Sequence, residues 1–230
     1  METLASQNLL IDADDTLWEN NIYFEQVIRE VRQLLERAGA DTGNFRVELD
    51  ETERRRIPLT GYGTINFTRS LVETFEKFLP RGADPRLAAE VQQLSLAIQD
   101  HPMEIFAGVP ETLAYLSARH SLHLVTKGDP AEQSRKIESS ALSGYFRGIE
   151  ILGEKNAQAY SELLDRHGWE RSCSWMIGNS PRSDINPALA AGINAVYIPH
   201  IHTWTLEHEE PTEHPGLLEL QRFSDLRFHF

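Results

Sequence analysis

Short runs of hydrophobic residues alternate along much of the chain with longer segments whose hydrophobic positions keep helical spacing. The short runs, which predict buried strands, lie at 9–11, 122–126, 148–152, 174–177 and 195–198. Helical patterns lie between the later runs, and several of them stop at a glycine. Strands that alternate with helices are typical of a parallel sheet covered on both faces, so we predict an α/β fold.

The segment between the first two predicted strands breaks this alternation. Helical spacing predicts helices there at 20–38, 65–79 and 85–99. Residues 40–64 are polar and are predicted to be irregular. We therefore expect a helical lobe, residues 18–106, inserted into a core that comprises residues 1–17 and 107–230.

The chain carries a large excess of negative charge. Its 22 Lys and Arg residues stand against 35 Asp and Glu, which gives a formal net charge of −13. Such a surface repels nucleic-acid phosphates and anionic lipids, so neither is a predicted partner. The single cysteine, Cys173, excludes a disulfide within the chain. Because no apolar run approaches the roughly 20 residues of a membrane span and no secretory pattern is present, we expect a cytoplasmic protein. The oligomeric state is left open.

Two carboxylates, Asp12 and Asp14, directly follow the first predicted strand. Residues two apart at the end of a strand can point their side chains the same way. Open α/β sheets bind their ligands at the carboxyl ends of the strands. The run of acids therefore indicates a site, although read alone it also fits an acidic turn capped by Asp15 or Thr16.

The second predicted strand ends in Thr126, and Lys127 and Gly128 permit a tight turn behind it. Asp129 and Pro130 have the pattern of a helix N-cap and first helical residue. The N–H groups at that helix start, together with the Thr126 hydroxyl, would form an anion site. An ordinary connection from strand to helix has the same pattern.

Lys155 and Asp184 follow the third and fourth predicted strands, and Asn186 is a predicted N-cap of the next helix. Each also fits an exposed loop when taken singly. Together they bring an ammonium and a third carboxylate to the rim that carries Asp12 and Asp14. Three carboxylates within about 4 Å would repel by roughly 4 kcal/mol per pair at an effective dielectric near 20. A bound divalent cation relieves that repulsion, and oxygen ligands with a phosphate substrate favour Mg²⁺.

The order of these segments resembles the motif order of the haloacid dehalogenase superfamily of aspartate-nucleophile hydrolases. The matching segments are Asp12 to Thr16, the strand ending in Thr126, Lys155, and Gly178-Asn179 through Asp184. The resemblance implies a Rossmann-like parallel sheet with a helical cap inserted between the first and second motifs. It also implies a Mg²⁺-dependent phosphatase that acts on a small phosphorylated metabolite.

The resemblance implies a catalytic role for four residues. Asp12 would attack phosphorus and form an aspartyl-phosphate. Asp14 would protonate the leaving oxygen and then activate the hydrolytic water. Thr126 and Lys155 would hold the phosphoryl oxygens, and Lys155 would also steady Asp12.

Substrate contacts are implied in two places. Backbone amides near Asp15, Lys127 and Gly128 would surround the phosphoryl group. In the cap, a glycine-flanked loop carrying Tyr62, followed by Arg69, could reach the leaving group. A plain connection between two helices explains that loop equally well.

The implied metal ligands are Asp12, the backbone carbonyl of Asp14, and Asp184. Asn179 departs from the pattern because many members of the superfamily carry an acid at this position. The site therefore loses one negative charge. Either metal affinity falls, or Asn179 serves as a neutral oxygen ligand or as a hydrogen-bond donor to a group that binds the metal.

Three other functions compete with phosphate ester hydrolysis. A dehalogenase on the same fold needs an aspartate nucleophile but no metal, and members with that activity lack an acid at the position of Asp14. A phosphomutase would pass the phosphoryl group to a sugar rather than to water. A non-catalytic binding protein is the remaining alternative, and Asn179 is the site residue that hints at it.

Overall fold

The computed structural model describes residues 6–84 and 86–230. The chain divides into two compact units, one comprising the chain up to Glu19 together with Met103–Phe230 and the other Asn20–Pro102. The two division points lie two and four residues from the expected 17/18 and 106/107. Within the described residues, none of the helices combines the length and apolar character required to cross a membrane.

A six-stranded parallel sheet forms the centre of the first unit, the core unit. Its strands are β1 (Asn8–Ile11), β2 (Ser121–Lys127), β3 (Gly148–Leu152), β4 (Ser174–Gly178), β5 (Asn194–Tyr197) and β6 (Leu217–Glu219), in the order β3-β2-β1-β4-β5-β6. The predicted α/β architecture with a Rossmann-like parallel sheet is confirmed. The three-residue edge strand β6 was not predicted, because so short a run shows no periodicity.

Strand β1 lies between β2 and β4, where the strand order reverses direction. Leu9 and Ile11 pack into one hydrophobic cluster and Leu10 into another, because successive side chains of a strand point to opposite faces. All three are fully buried. The carboxyl end of β1 therefore opens at the position where ligands bind in sheets of this type.

Helices cover both faces of the sheet. In the part of the chain that the structure describes, the α-helices are α1 (Asn21–Arg37), α2 (Phe45–Thr60), α3 (Thr64–Phe78), α4 (Arg86–Leu96), α5 (Val109–Ser117), α6 (Pro130–Ser140), α7 (Ala157–His167) and α8 (Asn186–Ala190). Leu113 of α5 and Ile137 of α6 pack with Leu9 and Ile11. Leu163 of α7 and Ala188 of α8 pack with Leu10 on the other face.

The second unit, the helical unit, contains α1 to α4 around its own hydrophobic cluster. Helix α2 falls inside the segment predicted to be irregular, so that part of the prediction was wrong. Its buried apolar residues are Phe45 and Leu49, too few to produce a visible helical period. Arg46 supports the helix by donating to Asp50 at 2.8 Å, one turn along, and to Glu25 of α1.

Candidate active site

Three charged side chains meet at the carboxyl ends of β1, β3 and β4. Asp12 directly follows β1, Lys155 follows β3, and Asp184 lies in a turn after β4. Lys155 Nζ donates to Asp12 Oδ1 at 2.5 Å and to Asp184 Oδ1 at 2.7 Å. All three residues are buried, with exposed fractions of 7% for Asp12, 3% for Lys155 and 1% for Asp184. The structure therefore brings these predicted site residues together as one ionic group.

When Asp12 and Asp184 are both ionised, the two carboxylates and the single ammonium leave this group with one uncompensated negative charge. Burial and the neighbouring Asp184 raise the pKa of Asp12 from 3.8 to about 7, although Lys155 opposes the rise. Burial alone would lower the pKa of Lys155, but Asp12 and Asp184 outweigh it and raise that pKa. The ammonium therefore stays charged, while Asp12 gives up its proton only near neutral pH.

The raised pKa of Asp12 makes stability depend on pH in the metal-free protein. The folded state keeps the Asp12 proton between pH 3.8 and about 7, where the unfolded chain loses it. The stability contributed by Asp12 therefore falls as pH rises through that interval. We expect Asp12→Asn to match the wild type at the acidic end and to exceed its free energy of unfolding above the interval. Urea unfolding in a chelator at several pH values measures this, and parallel pH profiles for the two proteins would contradict it.

Asp14 points to a different set of partners. Its Oδ1 accepts from Trp18 Nε1 at 2.8 Å, and its Oδ2 accepts from Gln133 Nε2 at 2.9 Å and Lys136 Nζ at 2.8 Å. Burial would raise the pKa of Asp14, but Lys136, Gln133 and Trp18 outweigh it and lower that pKa. Asp14 is therefore held as a carboxylate by three donors.

This arrangement corrects the expected cluster of three carboxylates. Among the described residues, ligand atoms of Asp12, Asp14 and Asp184 do not all come within 4.8 Å of one another. The Asp14 carboxylate is instead hydrogen-bonded by Trp18 and by Gln133 and Lys136 of α6. Sequence patterns did not signal Gln133 or Lys136, because α6 reaches Asp14 only through the tertiary fold.

A chain of hydrogen bonds links Asp12 to Asn179 and beyond. Thr16 Oγ1 donates to Asp12 Oδ2 at 3.0 Å and lies 3.3 Å from Asn179 Oδ1. Asn179 Nδ2 donates to Thr203 Oγ1 at 2.9 Å. The amide group of Asn179 is therefore oriented with its oxygen toward the Asp12 side of the site. Thr203, from the segment after β5, was not predicted from the sequence.

The donor set fits a hard divalent cation. Asp12, Asp184 and Asn179 offer oxygen atoms, which are the ligands that Mg²⁺ prefers. The uncompensated negative charge described above also favours a cation. Asp12, Asp184 and Asn179 are therefore candidates for holding a metal ion, as is the separate group of Asp15, Glu19 and His200, whose ligand atoms lie within 4.8 Å of one another.

The turn that carries Asp184 is a single π-helical turn, Pro181–Ile185, which runs directly into α8. Ser180 caps it, since its side chain accepts from Ser183 N at 3.0 Å. The N-cap predicted at Asn186 is wrong, because Asn186 is already the first residue of α8 and the helical backbone passes into it from Ile185 without a break. Asp184 Oδ2 accepts from Ser180 N at 3.0 Å, which fixes the second oxygen of the carboxylate.

Gly178 at the end of β4 is needed for the approach of Asp184. A Cβ at this position would overlap the Asp184 carboxylate. We expect Gly178→Ala to displace Asp184 and to lower the free energy of unfolding by about 1–3 kcal/mol. Urea unfolding measures the change, with Gly144→Ala as the control, because a Cβ there meets nothing within 4 Å. Equal stability of both variants would contradict this role of Gly178.

Thr126 is buried near the end of β2, and Lys127 is the last residue of that strand. The Lys127 ammonium donates to Glu207 Oε1 at 2.6 Å and to Ser183 Oγ at 2.7 Å. Its side chain is thus engaged with the protein rather than standing alone at the rim. Gly128 lies in the left-handed region at φ 141, with Gln133 so close that a Cβ would lie 2.9 Å from Nε2.

The backbone donors expected to surround a phosphoryl group have protein partners in this structure. The amide of Asp15 donates to Trp18 O at 2.8 Å, and that of Gly128 donates to Leu152 O at 3.2 Å. At the start of α6, the Asp129 side chain accepts a hydrogen bond from Glu132 N at 2.9 Å. The predicted N-cap at Asp129 is therefore confirmed. Part of the helix start expected to bind an anion is therefore occupied by a carboxylate of the chain itself.

The side chain of Asp15 lies close to those of Glu19 and His200. Ligand atoms of these three residues lie within 4.8 Å of one another. His200 Nδ1 is 3.7 Å from Asp15 Oδ1, and Nε2 is 3.4 Å from Glu19 Oε2. Burial lowers the pKa of His200, although Glu19 opposes this. Sequence spacing did not signal this group, because His200 follows β5 and meets Asp15 only in the folded sheet.

Tyr62 and Arg69 belong to the helical unit. Tyr62 lies in a bend between α2 and α3, and its carbonyl accepts from Asn66 Nδ2 at 3.1 Å. Arg69 is on α3 and donates to Asn66 Oδ1 at 3.3 Å. Their expected contact with a substrate remains a prediction.

Comparison with known proteins places this chain in a family. A family model for haloacid dehalogenase-like hydrolases matches residues 7–192. The structure of a haloacid dehalogenase-like family hydrolase from Xanthomonas campestris is 31% identical in sequence, with a TM-score of 0.85. The match covers 99% of this chain and 95% of that one.

Two further proteins differ in the reaction that their names state. N-acylneuraminate-9-phosphatase from Rattus norvegicus is 31% identical over 120 residues, which are 50% of this chain and 48% of the relative. The match thus spans about half the length of that curated relative. A 2-haloacid dehalogenase from Pseudomonas syringae is 21% identical, with a TM-score of 0.59 and 96% of each chain covered. That likeness shows the fold alone.

Proposed function

The chain belongs to the haloacid dehalogenase-like hydrolases, and from this premise we propose that it is a Mg²⁺-dependent phosphatase acting on a small phosphomonoester. The observation that carries the proposal is the buried Asp12 carboxylate at the end of β1. Lys155 Nζ at 2.5 Å and Thr16 Oγ1 at 3.0 Å orient its two oxygens. Asp12 therefore has the fixed geometry that a nucleophile needs.

In the first step, a carboxylate oxygen of Asp12 attacks the phosphorus atom, and the bond from phosphorus to the leaving oxygen breaks. The leaving oxygen takes a proton from Asp14 and departs as an alcohol. In the second step, Asp14 accepts a proton from water, the water oxygen attacks phosphorus, and Asp12 is released as a carboxylate. Lys155 holds Asp12 in line during both steps and offsets the charge that gathers on the phosphoryl oxygens.

The acid role of Asp14 requires a change from the arrangement described above. Its carboxylate accepts hydrogen bonds from Trp18, Gln133 and Lys136, and such donors favour the charged form. To deliver a proton, Asp14 must give up one of these donors and become protonated. Gln133 and Lys136 therefore control when Asp14 acts as an acid.

The side chains of Asp12, Asp184 and Asn179, with the backbone carbonyl of Asp14, would hold the Mg²⁺ ion. Bound there, the ion supplies positive charge that neutralises the carboxylates and stabilises charge on the transferring phosphoryl group. Thr16 and Thr203 orient Asn179 for this role through its side-chain amide. Thr126 adds a hydroxyl donor for a phosphoryl oxygen.

The charge of the site and one phosphatase relative support the proposed substrate class. A phosphomonoester brings its own negative charge to an acidic protein, so it requires the cation and Lys155 to bind. The rat relative that matches half of this chain is named for the hydrolysis of a phosphorylated sugar acid. A small phosphorylated metabolite is therefore the proposed partner, with Tyr62 and Arg69 as proposed contacts for its leaving group.

Dehalogenation is the second candidate, because a dehalogenase shares this fold. That reaction also begins with attack by an aspartate, but it needs neither a metal ion nor an acid for the leaving halide. The buried Asp184 and the position of Asp14 in the sequence favour phosphoryl transfer over it.

Two assays on the same purified protein separate the candidates. With Mg²⁺, we expect phosphate release from an aryl phosphate and from a panel of sugar phosphates, phosphorylated sugar acids and phosphorylated amino acids. A chelator should abolish it. Chloride release from a 2-haloacid in the presence of the chelator, without phosphatase activity, would instead support the dehalogenase.

A further inference from the structure

Glu207 is a buried carboxylate of the C-terminal segment that the proposed reaction leaves unused. It lies in a short 3-10 turn, Thr205–Glu207, after β5, and its exposed fraction is 8%. Its Oε1 accepts from Lys127 Nζ at 2.6 Å and its Oε2 from Ser180 Oγ at 2.5 Å. A carboxylate buried to this extent is stable only when such donors satisfy it.

Both partners of Glu207 also bind the π turn that carries Asp184. Lys127 Nζ donates to Ser183 Oγ at 2.7 Å, and Ser180 Oγ accepts from Ser183 N at 3.0 Å. The backbone N–H of the same Ser180 donates to Asp184 Oδ2 at 3.0 Å. One serine thus connects the Glu207 carboxylate to the Asp184 carboxylate.

We propose that Glu207 is a positioning residue that holds the turn Pro181–Ile185 and, through Ser180, the Asp184 carboxylate. Without Glu207, the half-buried Lys127 ammonium loses a counter-charge and the Ser180 hydroxyl loses its acceptor. The turn is then free to shift Asp184 away from Lys155 and Asp12. Since Asp184 is a proposed Mg²⁺ ligand, the consequence for the cation rests on the proposed function, whereas the consequence for the turn does not.

Hydrogen exchange in the metal-free protein tests the turn directly. We expect Glu207→Ala to speed exchange of the amides of residues 180 and 182–185 by about tenfold, the size of effect that loss of a buried hydrogen bond produces. Glu207→Gln, which keeps an acceptor for Lys127, should give a smaller increase. Glu209→Gln is the matched control, because Glu209 is exposed in the same segment. Unchanged exchange in the turn, or an equal increase throughout the chain, would overturn the inference.

The Mg²⁺ dependence of phosphate release provides the second readout. At a temperature where all variants are folded, Glu207→Ala should raise the Mg²⁺ concentration for half-maximal activity by about tenfold. Glu209→Gln should leave it unchanged. A general loss of stability would lower the melting temperature without moving this midpoint. An unchanged midpoint in an active Glu207→Ala enzyme would contradict the inference.

The two readouts separate this inference from the proposed function. If the wild type releases no phosphate with Mg²⁺, the proposed function fails, and the exchange comparison alone decides whether Glu207 holds the turn. If the wild type is active and exchange in the turn is unaltered, the proposed function stands and the role of Glu207 is rejected.

Discussion

Asp12→Asn is expected to lower kcat/KM for phosphate release by about 10⁴-fold or more, the scale seen when a nucleophile is removed. An amide oxygen is a poor nucleophile and cannot form the aspartyl-phosphate. The variant should still fold, because asparagine occupies the same volume as aspartate. It also puts an uncharged amide in place of a buried carboxyl group whose pKa is raised to about 7. The loss is therefore one of chemistry rather than of structure.

Initial rates with saturating Mg²⁺ measure this effect, and thermal unfolding confirms that the variant is folded. Asp165→Asn is a suitable control, since its side chain is 72% exposed. If Asp12→Asn retains full activity while folded, Asp12 is not the nucleophile and the proposed mechanism is wrong.

Lys155→Met is expected to lower the free energy of unfolding by about 3–5 kcal/mol in the absence of metal at neutral pH. Methionine fills a similar volume but leaves Asp12 and Asp184 buried beside each other without a counter-charge. The deficit should shrink as pH falls, because protonated carboxyl groups need no cation. Added Mg²⁺ should also reduce the deficit if it binds between the same carboxylates.

Urea unfolding in a chelator and then with Mg²⁺ measures these changes. Lys77→Met provides the control, because the Lys77 side chain is 41% exposed and such surface changes usually fall within about 0.5 kcal/mol. A Lys155→Met deficit that stays constant as the pH falls would show that lost packing, rather than unpaired charge, is the cause.

The fold was predictable from the sequence to a large extent. Alternating apolar runs and helical patterns predicted the parallel sheet, because burial on both faces leaves a central strand such as 9–11 wholly apolar. Helix α2 escaped prediction, since tertiary burial of Phe45 and Leu49 and the Arg46 ion pairs stabilise it rather than a periodic apolar face. Strand β6 was not predicted, because its pairing with β5, rather than a pattern in its own three residues, makes it a strand.

The candidate site was predictable in its parts. Asp12, Lys155 and Asp184 each follow a strand, and parallel strands bring such residues to one edge of the sheet. The partners of Asp14 were not predictable, because Gln133 and Lys136 are more than a hundred residues away along the chain. Thr203 lies 24 residues after Asn179 and reaches it only through the path of the segment after β5, so nothing in the local sequence indicated that contact.

By itself, the amino-acid sequence determined which functional group follows each strand. An acid follows β1, a hydroxyl lies at the end of β2, a lysine follows β3 and an acid follows β4. Local propensity and hydrophobic burial suffice for that, since both act within a strand and its turn. Only the tertiary structure decided the ionisation and orientation of these groups. The pKa of Asp12, the three donors on Asp14 and the link from Glu207 through Ser180 to Asp184 depend on distances between segments far apart in the chain. Electrostatic interactions in a buried site vary steeply with such distances, and no pattern of neighbouring residues specifies them.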